Sequence, residues 1–538
     1  MREMANARDA DLLVIDTGDR VEGNGLYDSS EPKGVYLSDV LRQQHVDIMT
    51  AGNHELYKQN TSEAELLTTV PNFRSSYLAS NINIVHPATH ELVPLAPRFK
   101  KFTTVNRKTR IVAFGFLFDF TGNYKNTIVQ PVEETIEEDW FQEAIRDEAV
   151  DLFLVSGHVP VRSREYIAIF RAIRAVNANV PIQFFGGHYH IRDYVRYDAA
   201  AAGLASGRFL ETIGFLSIDN LPSDDTTTSL TARTPPKFNR RYIDNNRRSF
   251  YHHTGLDEAS FHTKAGRQTS LLIDRSRSEL RLDEIHGCAP DDLWMSRVKY
   301  PANNSIYTWL GEEVLPKSLR DDSRKGKPAL SIVNTGAIRF DIFKGPFTQD
   351  STFIVSPFTS GFRYVKDILF EQAEIIVEVL NKQPQVWITD EQNDRFTLLA
   401  PPEQTGHLQR MASHPEYLKN QADTWVQPGN RHSPSIVPGY TTLDDAGADG
   451  DDTIHLPIPF HRVPNCIRSL ISSEKSPPPE TVDLVYVDFI EPFVAWAAEH
   501  VGLDIDFTKD ADVYMPSTTL TSLILNWIRE NWKCTTDT

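Results

Sequence analysis

The chain has 538 residues, of which 40% are hydrophobic and 10% aromatic; this is enough for more than one buried core and excludes a disordered chain. The 55 Lys and Arg against 73 Asp and Glu leave a formal net charge of −18. That excludes a general binder of nucleic acids or membrane surfaces, because phosphate polyanions recruit basic faces, and an anionic substrate has to be met locally, by metal ions or a few arginines. Three cysteines, Cys288, Cys466 and Cys534, are too few and too scattered for a disulfide framework or a zinc–thiolate site, and allow at most one disulfide. No run approaches the roughly 18 apolar residues of a membrane-spanning helix. The N-terminal stretch MREMANARDADLLVID has no apolar region behind a basic start.

In chain order, DLLVID (11–16) reads as a buried strand, 35–44 as a helix and VDIMTAG (46–52) as a second strand. A helical stretch at 62–69 precedes strands at 76–82 and 110–118. Helix 137–148 then precedes strand 150–157, and helix 166–176 precedes strand 180–187, with further strands at 194–197 and 209–218. This alternation predicts a layered α/β domain over residues 1–220. Residues 221–300 begin with a run rich in Thr, Asp, Asn, Arg and Pro and read as an irregular connector or an arm laid over the surface, with room for a strand or two. A second α/β domain follows over 301–538, with strands at 329–336 and 352–358, a helix at 372–381 and a packed terminal helix at 519–532. The acidic run 444–452 lacks the ligand spacing of a calcium loop and reads as a solvated turn.

The informative polar residues come directly after strands. DLLVID runs into Thr17-Gly18-Asp19, VDIMTAG into Asn53-His54-Glu55, DLFLVSG into His158, and PIQFFGG into His188-Tyr189-His190. In open α/β sheets, ligands bind outside the carboxyl ends of the strands, so these side chains are expected on one rim although they span most of the first 190 residues. Asp, Asn and imidazole donors suit Zn, Mn, Fe(II) or related divalent ions. Two such ions can clamp an in-line displacement at phosphorus. A carboxylate bridging both is the simplest centre, and Asp19 is the natural candidate.

In order and spacing, GD (18–19), GNHE (52–55), GH (157–158) and GHYH (187–190) resemble the motifs of calcineurin-like metallophosphoesterases. DTGDRVEGNGL, AGNHELY and the second domain look like the 5′-nucleotidase branch, in particular its fungal members. The resemblance implies a layered metallophosphoesterase β-sandwich with flanking helices and a C-terminal α/β substrate domain. It implies two divalent ions, with Asp19 bridging them, Asn53, His158 and His188 completing the second site, and His190 on the first. His54 would stabilise transition-state charge or protonate the leaving group. In the second domain Asn334 and Arg339 match the ends of a family motif that meets the nucleotide, and Phe358 would stack on a base. The family's later base-clamp motif has no match, and Phe493 is not assigned to it.

The family's first motif, Asp-x-His on an initial strand, also has no match before Asp19. The resemblance therefore implies an N-terminally shortened chain whose first metal keeps Asp19 and His190 of this ligand set. A lost start could have carried a signal peptide, which leaves secreted or vacuolar placement open. The expected function is metal-dependent hydrolysis of phosphate monoesters, nucleoside 5′-monophosphates foremost. The alternatives are a non-catalytic member that binds one metal or a nucleotide, and a cyclic-nucleotide phosphodiesterase.

Overall fold

The apolar runs around residues 110, 152 and 182 become the middle of a seven-stranded sheet. Its order is Thr442–Asp444, Arg192–Asp198, Ala201–Ser206, Ile182–Gly186, Leu152–His158, Arg110–Leu117 and Phe99–Thr103. All seven residues of Leu152–His158 are buried, as expected for a parallel strand covered on both faces. One covering layer is the helix Arg164–Val176. Ser163 caps it by accepting the Tyr166 N–H, and Tyr166, Ile169 and Ile173 form its buried stripe. Phe141, Ala144 and Ile145 join the same core. The strands Arg110–Leu117, Leu152–His158, Ile182–Gly186 and Ala201–Ser206 pair in parallel, so their carboxyl ends share one edge. Ile15–Asp16 and Ile48–Met49 form a short parallel pair.

The computed structural model describes residues 1–221, 234–382, 399–405, 436–438, 442–446, 457–472 and 477–534. The chain divides into two units. The first comprises Met1–Val21, Tyr36–Ile273 and Thr441–Leu456; the second comprises Glu22–Val35, Asp274–Tyr440 and Pro457–Thr538. No helix among the described residues is long and apolar enough to cross a membrane.

Three features differ from the sequence reading. Residues 221–300, read as an irregular connector or surface arm with room for a strand or two, carry in their described part the strand Lys237–Asp244, paired along its length with Thr212–Asp219, which that reading allows. They also carry the helices Arg247–Thr254, Glu258–Phe261 and Lys264–Glu279, which it does not predict, and the strand Ile285–Ala289. These helices lack an apolar stripe, and Lys264–Glu279 buries only Ser276, so periodicity did not reveal them. The run at 352–358, read as a strand from its Thr, Ile and Val content, lies mostly in the helix Gln349–Val355. A reciprocal capping box between Thr348 and Ser351 starts it. The acidic run at 444–452 is not wholly solvated. Asp444 ends an edge strand of the first unit's sheet and is buried against Arg240 Nε at 2.7 Å and the Tyr242 hydroxyl at 3.0 Å. Residues 447–452 lie outside the described set.

The second unit is built on a five-stranded mixed sheet, ordered Cys466–Ile471, Ala329–Asn334, Thr481–Val487, Phe362–Leu369 and Ala511–Tyr514. Helices Phe370–Lys382, Glu491–His500 and Leu520–Asn531 bury apolar stripes in its core. Phe493 belongs to that core. A disulfide joins Cys288 to Cys534, and Cys466 is free and buried.

Candidate metal centre

Asp19 sits in the turn after Ile15–Asp16, with its backbone in the left-handed region at φ 58°. Gly18 precedes it at φ 89°, and a Cβ there would meet Gly52 N at 2.3 Å. A Cβ on Gly52 would meet Asp19 Oδ1 at 2.1 Å, so the two strand-end turns touch only because both residues are glycine. His188 and His190 also have positive φ, 71° and 56°. Such conformations cost roughly 1–3 kcal/mol each and persist where surrounding structure imposes them. Here the surrounding turns use them to aim side chains inward.

Asp19, His158 and His188 converge: one ligand atom from each lies within 4.8 Å of the others. His158 Nε2 is 2.9 Å from Asp19 Oδ2, and the His158 and His188 rings meet at 5.3 Å, edge to face. His188 is stacked on Phe118 at 4.2 Å. His54 donates its backbone N–H to Asp19 Oδ1 at 3.0 Å and holds its Nε2 3.9 Å from Oδ2. Asn53 donates its amide to the Tyr57 hydroxyl at 3.0 Å, which leaves its Oδ1 buried with no hydrogen-bond donor. The structure does not place His190 in the close triad; its ring lies edge-on to Phe209 at 5.4 Å.

The donor chemistry fits a cation. His158 Nδ1 is 2.9 Å from the Thr17 carbonyl. A carbonyl only accepts, so Nδ1 carries the hydrogen, and in the neutral ring Nε2 presents a lone pair. That lone pair faces a carboxylate oxygen at 2.9 Å. Two acceptors at that distance need a positive centre between them, either a proton or a metal ion. With no metal the proton serves. Burial pulls the His158 pKa down, but the Asp19 carboxylate outweighs it and raises it above its ordinary 6.5. Burial likewise opposes the Asp19 charge, and the imidazoles of His158 and His54 hold its pKa well below the carboxylate range. The buried Asn53 Oδ1, which meets no hydrogen-bond donor, is an oxygen that could hold a cation. The Thr17 carbonyl is the kind of outer partner that fixes the tautomer of a metal-binding histidine.

Sequence reading missed the polar layer behind these residues. Glu55 was seen in GNHE without a role, yet its carboxylate accepts N–H groups from both turns. Arg20 is held by Asp16, the Thr50 carbonyl, Glu65 and Tyr77. The only signal for this layer was the polarity of Asp16, Arg20 and Glu55 beside buried strands.

Next to Phe118, Asp119 accepts the Val132 N–H at 2.8 Å and lies 3.2 Å from Arg164. Burial, and then the neighbouring Glu165, push its pKa up to about 7 from the ordinary 3.8. Between those values the folded protein keeps a proton that the unfolded chain releases. Stability from this group is therefore full below about pH 4 and falls as pH rises through about 7, by up to about 1.4 kcal/mol per pH unit. Denaturant titrations of Asp119→Asn against wild type between pH 4 and 8 should show a flattened profile in the variant. An unchanged slope refutes this assignment.

In the second unit, Asn334 ends the strand Ala329–Asn334, with its Oδ1 buried and without a hydrogen-bond partner. The turn after it leads to Arg339, whose guanidinium lies over the Phe358 ring at 4.9 Å. Thr521 Oγ1 holds the Phe358 carbonyl at 2.7 Å. Arg339 and Phe358 are thus together, and Asn334 heads the turn that leads to Arg339.

Strand ends of two sheets that bring Asp19, His158 and His188 together, in a chain with a separate second α/β unit, define a metal-dependent phosphoesterase with a nucleotidase-type second domain. Family comparison agrees: residues 1–192 match the calcineurin-like phosphoesterase family, and residues 292–495 match the C-terminal domain of NAD nucleotidase. The chain belongs to this family of hydrolases. Among its relatives is an uncharacterised protein of Schizosaccharomyces pombe, 33% identical over 99% of this chain and 83% of the relative. A protein of Arthroderma benhamiae described as secreted is 34% identical over 91% of this chain and 78% of its own length. The crystal structure of a 5′-nucleotidase from Candida albicans superposes with a TM-score of 0.83 at 35% identity, covering 99% of this chain and 91% of that one. A 5′-nucleotidase precursor from Thermus thermophilus, 12% identical with a TM-score of 0.59 over 99% of this chain and 90% of that one, shares the fold.

Proposed function

We propose that this protein hydrolyses nucleoside 5′-monophosphates at a centre of two divalent ions of the Zn, Mn, Fe or Co class. The observation that carries the reading is the convergence of Asp19, His158 and His188 within 4.8 Å. In this reading Asp19 would serve both sites, Asn53, His158 and His188 would hold one ion, and His190 would contribute to the other. When bound, such ions supply Lewis acidity and lower the pKa of water toward neutrality. The protein's own part is to orient the phosphoryl group and move protons. His54 stands beside the Asp19 carboxylate, where it is suited to stabilise charge on the phosphoryl oxygens and to protonate the departing alkoxide. Asn334, Arg339 and Phe358 take the nucleoside part, with Phe358 offering a face for base stacking. The −18 charge is compatible with an anionic substrate because bound metal ions would supply the local positive charge.

The test is steady-state kinetics of metal-supplemented protein. AMP and p-nitrophenyl phosphate should turn over well, and bis-p-nitrophenyl phosphate poorly. Arg339→Ala should raise KM for AMP about 10- to 100-fold, the worth of one charge-assisted bond, and leave p-nitrophenyl phosphate turnover within twofold. Folded, metal-loaded protein that hydrolyses none of these esters sinks the proposal. The Cys288–Cys534 disulfide and the secreted relative support an oxidising compartment, outside the cytosol.

A further inference from the structure

We infer that Glu55 is a positioning residue for the metal centre: its carboxylate locks the two strand-end turns in the one arrangement that brings their ligand atoms together. The inference rests on reading Asp19, His158 and His188 as metal ligands.

Glu55 is fully buried, at 0% exposure. Its Oε2 accepts the N–H of Gly52 at 2.6 Å and of Asp19 at 2.9 Å, and its Oε1 accepts the N–H of Arg20 at 2.7 Å. One side chain thus satisfies three backbone donors from two turns more than 30 residues apart in sequence. The consequence for Asp19 is specific. Its main chain is tied to Glu55 while its side-chain Oδ1 accepts the N–H of His54, the residue before Glu55. Backbone and carboxylate are held from the same neighbouring turn, which leaves Oδ2 facing His158. The same clamp sets the turn that carries Asn53 and His54. Without it, Asp19 loses the main-chain acceptor that opposes relaxation from its left-handed conformation.

The acceptor geometry explains why a carboxylate suits this place. Three converging N–H donors need acceptor lone pairs on both terminal atoms of the side chain, and a carboxylate offers them on each oxygen. Arg20 lies beneath it and bonds Asp16 at 3.0 Å, the Thr50 carbonyl at 2.7 Å, Glu65 at 3.1 Å and the Tyr77 hydroxyl at 3.2 Å. The Tyr77 hydroxyl in turn donates to Glu65 at 2.7 Å. One guanidinium therefore ties together the acidic groups behind the turns. Glutamine has the same shape but turns an N–H₂ toward at least one N–H donor, so Glu55→Gln breaks the clamp without leaving a cavity.

The experiment compares wild type, Glu55→Gln and Glu55→Asp loaded with Co²⁺, using p-nitrophenyl phosphate as substrate. Glu55→Gln should bind Co²⁺ at least 10-fold more weakly, as outer partners of metal ligands commonly do when removed. Its visible Co²⁺ absorption should change, and its kcat should fall at least 10-fold at saturating Co²⁺ with KM within threefold. Glu55→Asp, which restores acceptors on a shorter stem, should recover part of the affinity and the spectrum. Glu55→Gln with wild-type Co²⁺ affinity, spectrum and kcat overturns the inference, even if its melting temperature falls. If neither variant folds, hydrogen exchange on the wild type decides. Peptides covering residues 17–22 and 51–54 should exchange slowly in metal-free protein, and rapid exchange there overturns the clamp. Wild type that takes up no Co²⁺ refutes the reading of the site, and with it this inference; wild type that binds Co²⁺ normally while Glu55→Gln is unaffected refutes only the role of Glu55.

Discussion

Asp19→Asn should abolish metal uptake at the triad and lower turnover by about a thousandfold or more, while leaving the fold intact. The carboxylate is the shared element of the site. Its Oδ2 meets His158 at 2.9 Å and its Oδ1 is fixed by the His54 N–H. An amide carries no charge to balance two cations, and its N–H₂ can donate to His158 Nε2, which satisfies the lone pair that otherwise seeks an ion. The metal-free variant should therefore melt at or above the temperature of metal-free wild type at pH 8, where the wild-type pair must hold a proton or repel. Adding Zn²⁺ or Mn²⁺ should raise the wild-type melting temperature by mass action and leave the variant unmoved. Elemental analysis and thermal melts measure both. A variant that binds metal and turns over like wild type would remove Asp19 from the centre. Metal affinity of the wild type should also weaken on acidification, because the proton held by His158, whose pKa the Asp19 charge raises above 6.5, competes with the ion.

His54→Ala should lower kcat by about 100- to 10,000-fold, the range for loss of a positioned acid or of one transition-state donor. Metal content should be unchanged. The two effects separate because His54 bonds Asp19 through its backbone N–H, which alanine retains, while its ring stands 3.9 Å from Oδ2 and packs edge-on against Tyr57. The variant should also act on p-nitrophenyl phosphate more nearly like wild type than on AMP, because a nitrophenolate leaves without protonation. Equal losses on both esters would assign His54 to charge stabilisation rather than to proton donation, and no loss on either would remove it from the chemistry.

Much of this was legible in the order of residues. Apolar runs of six to nine residues separated by helical patterns made a layered sheet the expected outcome, and parallel strands place their carboxyl ends on one edge. Four strand ends carry Gly followed by Asp, Asn or His; two of them lie in the seven-stranded sheet and two in the short separate pair rather than on one rim, and three of the side chains, Asp19, His158 and His188, come together. The strand Ala201–Ser206 was not visible. It is built of small residues, and it exists because Arg192–Asp198 and Ile182–Gly186 pair on either side of it. The helix Gln349–Val355 was masked by its β-branched residues, since the deciding signal was a cap formed by Thr348 and Ser351. Asp444 was read as solvated because nothing local indicates that Arg240 and Tyr242, some 200 positions earlier, bury it.

The amino-acid sequence by itself determined the ligand types, their order and their placement at strand ends, because those follow from local hydrophobic periodicity and from glycine turns. Only the tertiary structure decided which atoms meet. The tautomer of His158 depends on the Thr17 carbonyl, 141 residues away. The aim of Asn53 depends on Tyr57. The left-handed turn at Asp19 gives its main-chain N–H to Glu55, 36 residues on. Apart from the local Asn53–Tyr57 bond, these are contacts between segments distant in sequence, whose energies arise only once burial has removed water and left each polar group to find its partner.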